Sequence, residues 1–205
     1  MRLSRRDILG AVFALAVAVV CVRLGFWQLD RLGQRRARNA IVAARLALPP
    51  LEVGRGTASD SARQRRLIAR GVYDYAGELV SPGKSFDGTP GVALVTPLRL
   101  EDGSAVFVDR GWVPSPDARH VDQSLYREAD TATVEGIGTE EYGISAFILR
   151  EAGTAAPRGL PRRWPAPALD DGPHLSYAVQ WFSFAIIIVV GTGALLRKTT
   201  ILAPS

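Results

Sequence analysis

This 205-residue chain has few histidines and cysteines, which are common catalytic and metal-binding residues. Its histidines are His120 and His174, and its single cysteine is Cys21. A zinc site takes three or four His, Cys or acidic ligands at close spacing, and neither histidine has a second histidine or a cysteine at helical spacing. The sequence also lacks GxSxG, a phosphate-binding loop and GxGxxG. We therefore expect a protein that is not an enzyme.

His174 is better placed than His120 to bind a ligand. It follows Asp170-Asp171-Gly172-Pro173 and stands directly before a long apolar segment. A neutral imidazole at an apolar boundary can be an axial ligand of a haem iron. The alternative, which spacing alone favours, is a helix-capping or interfacial histidine. His120 is expected to be an exposed loop residue.

Two uncharged apolar segments determine the fold class. The first covers residues 8–22 and reaches residue 26 if Arg23 snorkels, and the second covers residues 177–196. A membrane-spanning helix needs about 20 predominantly apolar residues. The sequence predicts transmembrane helices over residues 8–26 and 177–196, with a domain over residues 27–176. A cleaved export signal is the alternative for the first segment, but no small-x-small site follows it.

The excess of basic over acidic side chains lies outside the domain predicted between the spans. Residues 24–180 carry nineteen basic and nineteen acidic side chains, which argues against nucleic-acid binding. A lone cysteine within the first apolar segment argues against a thiol oxidoreductase or a copper chaperone. The net charge of +5 comes from residues near the two spans, namely Arg2, Arg5, Arg6, Arg23, Arg197 and Lys198 less Asp7.

The region between the spans is predicted to begin as a helix and continue as strands. The helical rhythm extends to Pro49-Pro50, and loops are expected over residues 52–62 and 81–88. The Asp102-Gly103 pair predicts a hairpin, and the prolines of residues 157–173 predict an extended segment. The fold class is an α+β membrane protein with a mainly antiparallel β extramembrane domain. The predicted strands are Leu67–Tyr73, Glu78–Ser81, Gly91–Leu100, Ala105–Val113, Thr131–Ile137 and Ala146–Leu149.

Aromatic and amide residues lie at the membrane boundaries. Trp27, Tyr177 and Trp181 are of the type that concentrates there. An apolar boundary is costly for an unsatisfied amide. Gln28 and Gln180 could therefore bond between the spans, to a partner helix or to a buried cofactor.

Arg110 follows Asp109 in the second strand of the predicted hairpin. A structural ion pair is the favoured interpretation, with Gly111 allowing a bend and Trp112 packing. The alternative is that Arg110 binds a carboxylate such as a haem propionate.

These sequence features together resemble those of the Surfeit locus protein 1 family of cytochrome c oxidase assembly factors. The order of the matching motifs and the two-span frame agree across nearly the whole chain. The motifs are Gly25-Phe26-Trp27-Gln28-Leu29-Asp30-Arg31, Gly71-Val72-Tyr73, Val95-Thr96-Pro97-Leu98, the segment from Val106 to Pro114, and the segment from His174 to Trp181.

The resemblance implies an orientation that charge alone leaves open. Residues 1–7 and 197–205 would lie in the cytoplasm, and the domain would face outward from the cell membrane of a bacterium. Some bacterial relatives bind haem A through a histidine near the second span, and His174 matches that position. The implied partners are the haem-bearing oxidase subunit, the lipid bilayer and, as a further candidate, haem A synthase.

We therefore expect an assembly factor that helps haem A to enter the oxidase, or stabilises the subunit that receives it. His174 would be the ligand of the haem iron, and Arg110 or Arg31 would bind a propionate. One alternative is a scaffold that binds the oxidase subunit without haem, and a second is a membrane-anchored enzyme. The residues expected to line the site or the helix interface are Trp27, Gln28, Tyr177, Gln180 and Trp181.

Overall fold

The computed structural model describes residues 4–140, 148–151 and 159–202. The chain divides into two compact units, which we name the helical unit (residues 1–40 and 169–205) and the barrel unit (residues 41–168). The elements of the described residues are α1 (Arg5–Ala47), β1 (Leu51–Glu52), α2 (Ser59–Ala62), β2 (Arg66–Tyr73), β3 (Leu79–Phe86), β4 (Thr89–Leu100), β5 (Ala105–Pro114), β6 (Thr131–Thr139), β7 (Ile148–Glu151) and α3 (His174–Leu202), with short 3-10 helices at Tyr75–Gly77 and Gln123–Tyr126.

Helix α1 continues without a break beyond the first apolar segment. It begins with a capping box, in which the Asp7 amide donates to Ser4 Oγ and the Ser4 amide donates to Asp7 Oδ2, each at 3.1 Å. It ends before Pro49-Pro50, whose rings and missing N–H groups cannot continue a helix. Its 43 residues make it about 65 Å long, about twice the thickness of a bilayer core.

Small residues hold α1 and α3 together. Ala18 and Cys21 of α1 pack with Ala185 of α3, and the rings of Phe26 and Phe182 meet edge to face with centroids 5.3 Å apart. Such small residues let two membrane helices approach closely. Both helices are long and apolar enough to cross a membrane, which confirms the predicted two-span frame.

The barrel unit is a sheet that closes on itself. Five strands follow one another around the barrel in the order β2-β6-β7-β5-β4, and β4 pairs with β2 to close it. The β5–β7 pair is parallel and the other four pairs of the ring are antiparallel. This is a small five-stranded barrel of the type that includes OB folds. The mainly antiparallel β domain is therefore confirmed.

The hairpin of β4 and β5 is the longest pairing in the barrel. Arg99 pairs with Ala105 next to the Asp102-Gly103 turn, and Gly91 pairs with Pro114 at the far end. Gly103 has φ +79°, as the predicted turn requires. Apolar side chains from both strands fill the barrel with those of β2, β6 and β7: Leu67, Ala69, Leu98, Val106, Val108, Val134 and Leu149.

The predicted loop over residues 81–88 is wrong, because β3 runs to Phe86. Composition misled the prediction, since Pro82-Gly83 is typical of turns. In the structure these two residues lie at a register shift between Ser81 and Lys84, on a strand with one neighbour. A proline is tolerated at such a place because no ladder hydrogen bond is lost.

Other differences are smaller. Residues 59–62 of the predicted loop 52–62 form α2. Of the predicted extended segment over residues 157–173, residues 157 and 158 lie outside the described residues, and residues 159–173 contain no helix or strand of their own. Of the predicted strand Ala146–Leu149, residues 146 and 147 lie outside the described residues, and β7 covers Ile148–Glu151.

Candidate functional site

His174 is the first residue of α3, and its side chain is fixed by α1. Nδ1 of His174 lies 2.9 Å from Oε1 of Gln28, whose side chain is buried. Because an amide oxygen can only accept a hydrogen bond, Nδ1 carries the proton and donates. An imidazole whose Nδ1 carries the proton keeps a lone pair on Nε2. A carbonyl-type oxygen that fixes the tautomer in this way is the usual support of a metal-binding histidine.

A cavity of about 380 Å³ opens beside His174, with a strongly basic lining. Arg31, Gln34, Arg35 and Arg38 recur at helical spacing, so they occupy one face of α1. They lie just beyond the first apolar segment. The site therefore combines the imidazole of His174 with guanidinium groups at the end of a membrane span.

Two acidic residues neutralise part of this basic stretch. Arg35 donates to Asp170 Oδ1 at 2.7 Å and to the Asp170 carbonyl at 2.8 Å. Arg36 donates to Asp171 Oδ2 at 2.6 Å, and this bond lowers the pKa of the Asp171 carboxyl. Asn39 adds a 2.7 Å bond to the Asp170 carbonyl. The residues just before His174 are thereby held against α1.

The other boundary residues occupy different positions. Trp27 is exposed, with the Arg31 guanidinium 5.7 Å from its ring centroid. Trp181 packs at the interface of α1 and α3, whereas Tyr177 and Gln180 are exposed on α3. The structure thus brings together Gln28, Arg31 and His174, and it leaves Tyr177, Gln180 and Trp181 outside the lining of the cavity.

Arg110 lies in the barrel unit and is fully buried. Its guanidinium donates to Glu78 at 2.5 Å, to Glu128 at 3.1 Å, to Thr96 Oγ1 at 2.8 Å and to the carbonyl of Tyr126 at 2.7 Å. The ion pair favoured by the sequence therefore exists, but its carboxylates come from distant segments. This geometry disfavours the interpretation of Arg110 as a propionate partner, because its donors already face partners within the barrel.

The neighbouring Asp109 has separate partners. It accepts from Arg150 Nε at 3.1 Å and from Trp164 Nε1 at 3.0 Å, and burial raises the pKa of its carboxyl. Asp109 and Arg110 do not pair with each other because adjacent strand residues face different surroundings. The bend predicted at Gly111 is confirmed by its φ of +119° and by the register shift beside it.

The residues around His174 are of the types that hold the polar parts of a haem. The Nε2 lone pair is a suitable iron ligand, and the arginines of the cavity are suitable partners of propionates. Sequence reasoning missed Gln34, Arg35 and Arg38 as site residues. Their helical spacing was visible, but nothing in the sequence placed that face beside His174.

Comparison with known proteins supports the resemblance. Residues 15–186 match the SURF1 family. A SURF1-like protein of Mycobacterium tuberculosis is 24% identical over 219 residues, covering 89% of this chain and 80% of that protein. A SURF1-like protein of Monosiga brevicollis is 26% identical over 225 residues, covering 90% and 86%. One from Rickettsia felis is 29% identical over 105 residues, covering 48% and 43%.

The SURF1 family is a family of cytochrome oxidase assembly factors and not a known class of enzymes. The matched region includes α1 from residue 15, the whole barrel and α3 as far as residue 186. It therefore contains both the His174–Gln28 pair and the buried Arg110. Sequence, fold and comparison agree that the chain belongs to the SURF1 family.

Proposed function

We propose that this protein holds haem A in a bacterial cell membrane and helps it to enter the haem-bearing subunit of cytochrome c oxidase. The observation that carries the proposal is the His174–Gln28 hydrogen bond beside a basic cavity. Haem A supplies the iron centre that the oxidase needs, and the protein supplies the residues that hold it.

His174 is the proposed ligand of the iron, through Nε2. Gln28 keeps the proton on Nδ1 and fixes the plane of the ring, which keeps the lone pair available. Arg31 is the proposed partner of a propionate, because a guanidinium binds a carboxylate with two parallel donors. Trp27 and Tyr177, exposed near the same boundary, offer apolar ring surface.

The proposed orientation places the domain on the extracytoplasmic side. Arg6 and Asp7 of α1 line one cavity together with Leu195 and Leu196 of α3, so the two outer helix ends lie on the same side of the hairpin. Arg5, Arg6, Arg197 and Lys198 then give that side the basic residues expected of a cytoplasmic face. The proposed partners are the oxidase subunit and, transiently, haem A synthase.

A reduced-minus-oxidised visible spectrum of membranes tests the assembly role. Cells lacking the protein should lose most of the haem A band while the b- and c-type bands persist. Restoring the wild-type chain should restore the band, and restoring His174→Ala should not. An unchanged haem A band with normal oxidase activity in cells lacking the protein would contradict the proposal.

A scaffold that binds the oxidase subunit without haem is the second candidate. The exposed, apolar outer surfaces of α1 and α3 support it, because they leave room for helices of a partner. Under the scaffold function, His174→Ala would support assembly as well as the wild type does, and the oxidase subunit would still co-purify with the variant.

A further inference from the structure

The cavity beside His174 contains more positive charge than its acidic neighbours neutralise. Arg35 is bonded to Asp170, and Arg36 is bonded to Asp171. Arg31 and Arg38 both line the cavity, and neither has a carboxylate partner within residues 4–140, 148–151 and 159–202. Two guanidinium groups are thus left facing a space large enough for a small molecule.

The spacing of these two arginines suits a ligand with two anionic groups. They are seven residues apart, so they lie two helical turns apart on one face of α1. Gln34 lies between them and donates to Asp30 while accepting from Arg31 at 2.9 Å. Arg35 also lies between them, but its Nε and one Nη2 donor are occupied by Asp170. Their Cα atoms are about 10 Å apart along the helix axis, so a ligand with two anionic groups can contact both arginines at once.

We propose that Arg31 and Arg38 select the ligand of this cavity by its two carboxylates, each arginine binding one of them. This inference rests on the proposed function, since it names the part of the ligand that these two residues recognise. His174 then binds the iron independently of them. Arg38 is a specificity-determining residue that the sequence alone did not indicate.

Metal-free protoporphyrin IX separates recognition of the carboxylates from binding of the iron. The full chain is reconstituted in nanodiscs of zwitterionic phosphatidylcholine, which has no net charge, and binding is followed by porphyrin fluorescence anisotropy. We expect the diacid to bind at least about tenfold more tightly than its dimethyl ester, since each charge-assisted hydrogen bond contributes about that much. Equal binding of the diacid and the diester would overturn the proposal.

Matched variants show which arginines cause the preference for the diacid. Arg31→Gln and Arg38→Gln should each weaken diacid binding about tenfold and leave diester binding unchanged. Arg36→Gln is the control, because it removes the same charge from the same helix but outside the cavity. A loss as large for Arg36→Gln as for Arg38→Gln would mean general attraction by the basic helix, and would overturn the proposal.

Two further measurements separate this proposal from its rivals. His174→Ala should keep the preference for the diacid, because the probe contains no iron. This preference is expected even if the same variant shows that His174 does not bind haem.

Nanodiscs containing anionic phosphatidylglycerol test for a lipid headgroup as the occupant. Diacid binding that is abolished by phosphatidylglycerol in the wild type, but not in Arg38→Gln, would assign the cavity to lipid and overturn the proposal.

Discussion

Nδ1 of His174 donates a 2.9 Å hydrogen bond to Oε1 of Gln28, although the two residues are 146 positions apart in the chain. The bond joins the start of one membrane-spanning helix to the end of the apolar segment of the other. It gives one specific reason why a polar amide is buried at an apolar boundary. The pair therefore links the packing of the two spans to the proposed ligand site.

Gln28→Leu should weaken haem binding without removing the iron ligand. Loss of the bond frees the His174 ring to rotate and to change tautomer, and the loss of such a supporting bond typically costs about 10- to 100-fold in metal affinity. Haem titration of the purified protein, followed by its visible absorption, measures the change. Gln180→Leu is the control, because Gln180 is exposed. Equal effects of the two variants would refute a specific role for Gln28.

Gly25→Ala should loosen the packing of α1 against α3. A Cβ at Gly25 would lie 2.6 Å from Cε1 of Phe182, which is closer than two carbon atoms can approach. The resulting overpacking should cost about 1–3 kcal/mol, seen as a lower midpoint of thermal unfolding in detergent. Gly10→Ala is the control, since nothing lies within 4 Å of a Cβ there. The double variant Gly25→Ala with Phe182→Leu should recover part of the loss.

Arg110→Ala should destabilise the barrel unit severely. It leaves the buried carboxylate of Glu78 without its cation, and breaking a buried ion pair on one side costs about 3–5 kcal/mol. Urea unfolding of the full chain, followed by near-ultraviolet circular dichroism, measures the loss. Arg70→Ala, which removes an exposed pair with Glu52, should cost less than about 1 kcal/mol. A stable Arg110→Ala protein that no longer binds haem would instead favour the propionate alternative.

Asp102 should make the barrel unit sensitive to acid. Its carboxylate accepts bonds from the Ser104 hydroxyl and from the amides of Ser104 and Arg55, which lowers its pKa from 3.8 to about 2. A lowered folded-state pKa gives stability that is fully present above 3.8 and is lost as the pH falls towards about 2.

The matching experiment compares the wild type with Asp102→Asn across a pH series. The difference between their unfolding midpoints should be constant from neutral pH down to about 5, and should shrink between about 4 and 2. Burial of Asp109 raises its pKa and acts in the opposite direction, but it is common to both proteins and cancels in the difference. A difference between the two midpoints that stays the same from about pH 5 to about pH 2 would contradict the assignment.

Local patterns predicted much of the fold. Uncharged runs indicated both spans, and Asp102-Gly103 indicated the hairpin whose strands carry the Arg110 motif. Helix α3 begins at His174, whereas the predicted span began at residue 177. The earlier start was missed because Gly172 and Pro173 are typical of loops. The strand predicted at β3 ended too early, because proline and glycine usually mark turns in a sequence, although an edge strand tolerates both.

The site was predictable only in part. His174 was identified by its position before an apolar segment, and Gln28 was identified as an unusual amide, but their bond joins distant parts of the chain. The carboxylate partners of Arg110 are 32 and 18 residues away, and no periodicity connects them. Arg38 was not identified as a site residue, because a basic helix face is usually solvated and the sequence does not show which element packs beside it.

The most direct test of the central claim is the visible spectrum of the protein purified from cells that make haem A. The wild type should carry a haem A band, and His174→Ala should lose it while retaining its circular dichroism. His120→Ala changes the only other histidine, which is exposed, and should keep the band. A band that persists in His174→Ala, or that is absent from the wild type while the oxidase subunit still co-purifies, would contradict the account of His174 as the haem ligand.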